Sequence, residues 1–156
     1  MTKDRRYWDS DCFLGWLQAE PDKEKQCREV LEAAEDGHVL IVTSALTIAE
    51  VLAMRGAPRI PVARREQIEA FFRNEYIVVR NITRRIAEDA RGYVWDLGVA
   101  PKDALHVATA IDARLDLLNT FDRPLIGKSG QMGNPSLRIE PPYWRAPKLP
   151  FEAPNG

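Results

Sequence analysis

The stretch from Ala100 to Asp122 constrains the fold most, because it predicts a helix followed closely by a buried strand. Pro101 suits the first turn of a helix, where its missing N–H leaves no hydrogen bond unmade. The segment DALHVATAIDAR then carries apolar residues at near-helical spacing. The run from Leu115 to Thr120 is short and mostly apolar, which is typical of a strand covered on both faces. This order favours an α/β fold.

A carboxylate lies at each end of this stretch. Asp103 falls in the predicted first turn of the helix, where exposed backbone N–H groups favour a negative charge. Asp122 follows the predicted strand, and ligands of open parallel sheets bind beyond the carboxyl ends of the strands. Either residue alone is explained as a helix cap or a turn residue. A functional interpretation therefore needs partners elsewhere in the chain.

Strand-like segments alternate with helix-like segments along the rest of the sequence. The additional strands are predicted at residues 5–8, 38–43, 75–80 and 137–140. This alternation predicts a three-layer α/β/α domain with a mainly parallel sheet of four or five strands. We expect that domain to span residues 1–140. Residues 141–156 contain five prolines and are predicted to form a proline-rich tail.

Composition narrows the functional classes. The net charge of −1 over 156 residues means that a nucleic-acid partner would need a local basic patch. There is no apolar run long enough to cross a membrane and no apolar signal core at the start, so a cytoplasmic protein is expected. Cys12 and Cys27, the only cysteines, are predicted to be packed residues, not a disulfide or a zinc site.

Three further acidic residues follow predicted strands. Asp9 and Asp11 flank Ser10 before a predicted helix, and Ser10 or Asp11 is the expected N-cap. Glu50 lies in a helix predicted from Ala45 to Arg55. Since strand ends meet at one edge of a parallel sheet, Asp9 and Glu50 are expected near Asp103 and Asp122, although capping alone also explains the first pair.

The stretch from Arg55 to Arg73 is locally basic. It contains five arginines and two glutamates, a net charge of +3. One interpretation is a solvated helix face with pairs such as Arg65–Glu69. The other is a rim that contacts RNA phosphates, and under it the contacting residues are predicted to be Arg55, Arg59, Arg64 and Arg65.

The segments YWDSDCFLGWL, TSALTIAEVL, PKDALHVATA and LLNTFDRPL, in that order, resemble the motifs of the PIN-domain family, and most of all its VapC-type toxins. The resemblance implies a Mg²⁺- or Mn²⁺-dependent ribonuclease that acts on RNA, binds a small antitoxin and forms a homodimer. The family's acidic positions carry over onto Asp9, Glu50, Asp103 and Asp122. The implied metal ligands among them are Asp9, Asp103 and Asp122. Asp11, where the family often has Asn, and Thr120 are accessory candidates.

The residue set suits this chemistry, because hard divalent cations prefer oxygen ligands and clustered carboxylates repel one another without a cation. His106 is expected to be a packed or capping residue, not a catalytic one. Two alternatives stay open. Asp9-Ser10-Asp11 also resembles the DxD motif of haloacid-dehalogenase-like phosphatases, and a non-catalytic RNA- or protein-binding module could share the fold.

Apolar side chains crowd the first predicted helix. They are Phe13, Leu14, Trp16 and Leu17, and they cannot all face one side of a helix. Some of them are therefore candidates for a protein interface.

Overall fold

A five-stranded parallel sheet forms the centre of the molecule. The computed structural model describes residues 3–52 and 58–146. The strand order is β3-β2-β1-β4-β5, and every neighbouring pair is parallel. The strands are β1 Asp4–Trp8, β2 Val39–Ser44, β3 Ile77–Arg80, β4 Leu117–Asn119 and β5 Arg138–Glu140. The predicted α/β class, with a parallel sheet of four or five strands, is confirmed.

Helices cover both faces of the sheet. They are α1 Ser10–Leu17, α2 Glu24–Glu35, α3 Ala45–Glu50, α4 Arg65–Phe72, α5 Arg84–Leu97, α6 Pro101–Asp112 and α7 Arg123–Ile126, with a 3₁₀ turn at Val62–Arg64. None of the helices in the described ranges combines the length and apolar character needed to cross a bilayer.

Successive residues of β1 contribute to different cores. Tyr7 packs with residues of α5 and α6 on one face, and Trp8 packs with residues of α1, α2 and α4 on the other. This follows from the alternation of side chains along a strand. Both residues are fully buried, and β1 lies between β2 and β4. The residues that follow these three strands therefore share the carboxyl edge of the sheet.

Several helix ends follow local signals in the sequence. The Ser44 side chain accepts a hydrogen bond from the backbone N–H of Leu46, and Thr83 accepts one from Ile86. Gly98 ends α5 with a left-handed φ of 67°, a conformation that glycine adopts without the steric cost of a Cβ.

The N-cap predicted for α1 is wrong. Asp9, not Ser10 or Asp11, caps this helix, because its carboxylate accepts from the N–H groups of Asp11 and Cys12. The helix predicted from Ala45 to Arg55 ends at Glu50, where Val51 adopts a ψ of 71° and leaves the helical region. Arg55 itself lies outside the described residues.

The apolar residues of α1 belong mainly to the core. Phe13, Leu14 and Leu17 are buried, and only Trp16 of the four interface candidates retains intermediate exposure. Cys12 and Cys27 are buried and unpaired, as predicted. The first helix therefore offers little apolar surface to a partner.

Candidate active site

Asp9 lies where β1 ends and α1 begins, and it is only 3% exposed. Its Oδ1 accepts hydrogen bonds from the backbone N–H groups of Asp11 at 3.1 Å and Cys12 at 3.4 Å. The Thr120 hydroxyl donates to Oδ2 at 2.5 Å. Three donors therefore fix the orientation of this buried carboxylate, and the positive end of α1 favours its ionised form.

Thr120 connects Asp9 to Asp122. While its Oγ1 donates to Asp9, the same oxygen accepts from the backbone N–H of Asp122 at 3.1 Å. The Asp122 carboxylate caps α7 by accepting from Leu125 N–H at 3.1 Å. One buried hydroxyl thus sets the relative position of two acidic residues that follow adjacent strands.

Asp103 occupies the first turn of α6 and is partly exposed. Its pKa is raised to about 6, chiefly by burial and next by the nearby Asp122 carboxylate, while His106 acts in the opposite direction. Asp11 and Glu50 also contribute to the rise. These carboxylates are therefore close enough to repel one another.

Asp9 and Asp11 show the same mutual repulsion. Burial is the main cause that raises the pKa of Asp9 to about 7, and the charge of Asp11 adds to it. The pKa of Asp11 is raised by burial and by Asp122, against the opposing charge of Lys23. Five carboxylates from four segments of the chain consequently form one acidic site.

Glu50 is the last residue of α3, and two side chains hold its Oε1. Ser10 Oγ donates at 2.6 Å and His106 Nε2 lies at 2.7 Å. On the other side of the imidazole, the Tyr7 hydroxyl lies 2.6 Å from His106 Nδ1. Burial acts to raise the pKa of Glu50, but the hydrogen bonds from His106 and Ser10 leave it below its ordinary value.

The donor chemistry fits a hard divalent cation. Within residues 3–52 and 58–146, no three His, Cys, Asp or Glu side chains form a closed ligand cluster. Mg²⁺ does not require one, because it keeps several waters and binds proteins through one or two carboxylates. Neighbouring carboxylates add to the effect of burial in raising the pKa values of Asp9 and Asp103, and a positive charge at this site would offset that repulsion.

In the part of the chain that the structure describes, the hydrogen bonds of the acidic site involve none of the predicted RNA-contacting arginines, and Arg55 lies outside that part. Arg59 is exposed, and Arg64 donates to Gln67 at 3.1 Å. Arg65 lines an open cavity of about 560 Å³ whose apolar wall includes Ile48 and Leu52. In the described ranges, none of these three arginines makes an ion pair with an acidic side chain, so the Arg65–Glu69 pair is absent.

Sequence reasoning missed the hydrogen-bonding roles of Tyr7, Ser10 and His106. Tyr7 fitted a strand core, Ser10 fitted a helix cap, and His106 was expected to be packed. All three are buried, and their partners lie far away in sequence. No local pattern could have revealed contacts that depend on the order of the strands.

Solved structures that resemble this fold include three with toxin assignments. A toxin–antitoxin complex from Klebsiella pneumoniae aligns with a TM-score of 0.53 and 18% identity, covering 75% of this chain and 86% of that chain. VapC20 from Mycobacterium tuberculosis, a sarcin–ricin loop cleaving toxin, aligns with a TM-score of 0.60 and 15% identity, covering 77% of this chain and 92% of that chain. VapBC2 from Rickettsia felis, bound to a promoter DNA fragment, aligns with a TM-score of 0.60 and 13% identity, covering 88% of this chain and 98% of that chain.

A comparison with curated proteins gives no match. The sequence pattern of the PIN domain matches residues 6–126. That range covers most of the chain. It includes all five carboxylates of the acidic site, which are Asp9, Asp11, Glu50, Asp103 and Asp122. On this match and the parallel α/β/α architecture, the chain belongs to the PIN domain family.

Proposed function

We propose that this chain is a Mg²⁺- or Mn²⁺-dependent endoribonuclease that acts in the cytoplasm as the toxin of a toxin–antitoxin pair. The observation that carries the proposal is the cluster of mutually repelling carboxylates at the carboxyl edge of the sheet in a PIN-domain chain. The similar solved structures, two of toxin–antitoxin assemblies and one of an RNA-cleaving toxin, support the same reading.

Asp9, Asp103 and Asp122 would hold the cation. When bound, the cation supplies a Lewis acid that lowers the pKa of a coordinated water and balances negative charge on the phosphate. Without such a cation, the carboxylates of the site would repel the phosphodiester. Without such a charge, ionising all the carboxylates together is unfavourable.

The protein side chains provide orientation and a proton acceptor. Thr120 and two backbone N–H groups hold the Asp9 carboxylate in one direction. Glu50, which is only partly buried, presents a carboxylate at the rim that can accept a proton from an attacking water. The assigned reaction class is in-line hydrolysis of a phosphodiester, with no Ser, Cys or His nucleophile.

Cleavage assays with defined substrates test this proposal. Purified protein is incubated with a sarcin–ricin-loop hairpin, an unrelated RNA hairpin, or a phosphate monoester, each with Mg²⁺, Mn²⁺ or EDTA. We expect cleavage of at least one RNA with either metal, no cleavage in EDTA, and no release of phosphate from the monoester.

Asp116→Asn provides a matched control for Asp103→Asn. Asp116 is exposed and precedes β4, so it lies at the opposite end of that strand from the acidic site. Asp116→Asn should retain wild-type cleavage, whereas Asp103→Asn should lose it. Monoester hydrolysis without RNA cleavage would favour the phosphatase alternative, and full activity in Asp103→Asn would contradict the mechanism.

The partner proposal is a small antitoxin together with self-association of this chain. Its support is the toxin–antitoxin assemblies among the similar structures. A small protein encoded in the neighbouring reading frame should co-purify with this chain and suppress RNA cleavage. Sedimentation at micromolar concentration should give a homodimer, and a monomer without any small neighbour would count against the toxin assignment.

The proposed contacts to RNA phosphates come from four arginines, which are Arg55, Arg59, Arg64 and Arg65. Phosphate contacts release counterions, so each lost contact should lower the salt slope of RNA binding by about 1. Binding is measured in Ca²⁺ to suppress cleavage, across a salt series, for Arg59→Ala and Arg64→Ala. Arg138→Ala, in the edge strand β5, is the control. An unchanged salt slope in both test variants would mean that RNA binds elsewhere on the protein.

A further inference from the structure

We propose that Tyr7 and His106 are positioning residues that orient the Glu50 carboxylate through a buried hydrogen-bonded relay. This inference rests on the proposed nuclease function, in which Glu50 is the proton-accepting group at the rim of the site. Tyr7 and His106 do not touch substrate under this proposal. They act only through Glu50.

The relay is continuous and shielded from solvent. The Tyr7 hydroxyl lies 2.6 Å from His106 Nδ1, and His106 Nε2 lies 2.7 Å from Glu50 Oε1. Tyr7 is fully buried and His106 is 2% exposed, whereas the Glu50 side chain is 18% exposed. The chain of hydrogen bonds therefore runs from the core outward to the acidic site.

The direction of the hydrogen bonds follows from the chemistry of the end group. An ionised carboxylate only accepts, so the hydrogen bond to Glu50 requires a proton on His106 Nε2. In a neutral imidazole the other nitrogen is then an acceptor, and it takes the Tyr7 O–H. The relay thus selects the Nε2–H tautomer and points that N–H at Glu50.

Glu50 needs such support because its own helix is short. The helix α3 spans six residues and Glu50 is the last of them, followed by Val51 outside the helical region. Helices of this length have little stability of their own. Ser10 and His106, from α1 and α6, both donate to Oε1, which leaves Oε2 available to a water at the site.

The relay is built on the same elements that carry other acidic residues. His106 follows Asp103 by three residues on α6, a spacing that puts both side chains on one face of the helix. Tyr7 lies in β1 two residues before Asp9, which directly follows this strand and caps α1. The relay therefore connects the position of Glu50 to the positions of Asp9 and Asp103.

Three variants test the relay. His106→Leu removes the hydrogen bonds to Tyr7 and Glu50 together with the 3.4 Å contact to Ser10, and His106→Gln retains a side-chain N–H that can donate to Glu50. Tyr7→Phe leaves the imidazole in place and removes only the hydroxyl that selects its tautomer. His38→Gln and Tyr93→Phe are matched controls, because they make the same chemical changes outside the relay.

The first readout is the ¹⁵N spectrum of the imidazole rings at pH 8 without metal. The chain contains only two histidines, so His38→Gln assigns both sets of resonances. We expect His106 to have a protonated Nε2 and an unprotonated Nδ1, and we expect Tyr7→Phe to mix the tautomers. A protonated Nδ1 in the wild type would overturn the proposal.

The second readout separates kcat from KM for RNA cleavage. His106→Leu should lower kcat at least about tenfold with little change in KM, since lost orienting partners of a metal-site residue typically cost 10- to 100-fold. His106→Gln should recover most of the rate. Wild-type kcat in His106→Leu, or a folded His106→Gln as slow as His106→Leu, would overturn the proposal.

Thermal unfolding shows which variants are folded. If His106→Leu does not fold, Tyr7→Phe and His106→Gln decide the question, because both retain most of the buried volume. A wild-type protein that cleaves no RNA with any metal would refute the proposed function. The imidazole spectrum would still test the relay on its own, so the two failures can be distinguished.

Discussion

At the scale of single residues, Asp9 shows how one side chain can serve local structure and the site together. It follows β1, it caps α1 through two backbone N–H groups, and it presents a buried carboxylate at the carboxyl edge of the sheet. The capping bonds compensate part of the cost of burying a charge. A residue of this kind looks like an ordinary cap in the sequence.

Asp103→Asn should stabilise the metal-free protein while removing metal-dependent cleavage. Because the folded-state pKa of Asp103 is raised from 3.8 to about 6, ionising this carboxyl group costs more free energy in the folded protein than in the unfolded chain. Removing the charge should raise the free energy of unfolding at pH 8 by about 1 kcal/mol, after allowance for solvent screening of this partly exposed group.

The pH dependence of this difference provides the check. A raised pKa means that the folded state binds a proton that the unfolded state does not, so the penalty disappears as pH falls below about 6 and towards 4. Urea unfolding of Asp103→Asn and wild type in EDTA should give a difference at pH 8 that vanishes at pH 4. A difference that grows on acidification would contradict the mutual repulsion of the carboxylates.

Thr120→Val should weaken both stability and cleavage. The hydroxyl of this fully buried residue donates to Asp9 and accepts from the Asp122 N–H, so valine leaves both partners without it. Loss of a buried hydrogen-bond partner costs about 1–3 kcal/mol. Urea unfolding measures that loss of stability. Thr109→Val is the control for a buried threonine outside the acidic site. Equal effects of both variants on RNA cleavage would argue against a special role of Thr120.

At the scale of elements, the helix ends divide into those that serve stability and those that serve the site. The caps Ser44 and Thr83 follow sequence signals closely. The helix α6 begins at Pro101 without a side-chain cap, and its first turn carries Asp103 instead. The first turn of α6 therefore contributes the Asp103 carboxylate to the acidic site.

Thr83→Ala should be purely a stability variant. The Thr83 hydroxyl accepts from Ile86 N–H at 3.2 Å at the start of α5, the helix that follows the edge strand β3. Loss of an N-cap costs about 1 kcal/mol. Chemical denaturation should show that decrease with kcat unchanged, and Thr83→Ser should restore stability; a loss of cleavage at a temperature where the variant is folded would disagree with this assignment.

At the scale of the whole molecule, the segment after β5 contacts the first strand. The guanidinium of Arg6, which is 3% exposed, donates to the Tyr143 carbonyl at 2.7 Å and lies 5.8 Å from the centre of the Trp144 ring. Trp144 stacks in turn on His38. Residues 141–146 therefore make specific contacts with the domain predicted to end at residue 140.

Truncation at two positions should give different results. A chain ending at residue 146 retains the Arg6 contacts, and a chain ending at residue 140 loses an acceptor of a buried guanidinium. The shorter chain should be less stable by about 1–3 kcal/mol, the cost of leaving a buried donor unsatisfied. Thermal unfolding of both chains is the measurement, and equal stability would support a domain boundary at residue 140.

The sequence by itself determined the alternation of strands and helices, and the caps Ser44 and Thr83 follow local signals in it. These features depend on periodicity and on hydrogen bonds between residues a few positions apart, which a local pattern records. The predicted strand at residues 5–8, weak as a pattern, becomes the central strand. The edge strand near residue 138 was also visible.

Tertiary structure alone decided how the site is connected. Tyr7, Glu50 and His106 meet because β1 lies between β2 and β4 and α6 packs on the same face of the sheet. The hydrogen bond from Thr120 to Asp9 likewise depends on the pairing of β4 with β1. Hydrogen bonds across 40 or more residues follow from strand order, and no periodicity in the sequence encodes that order.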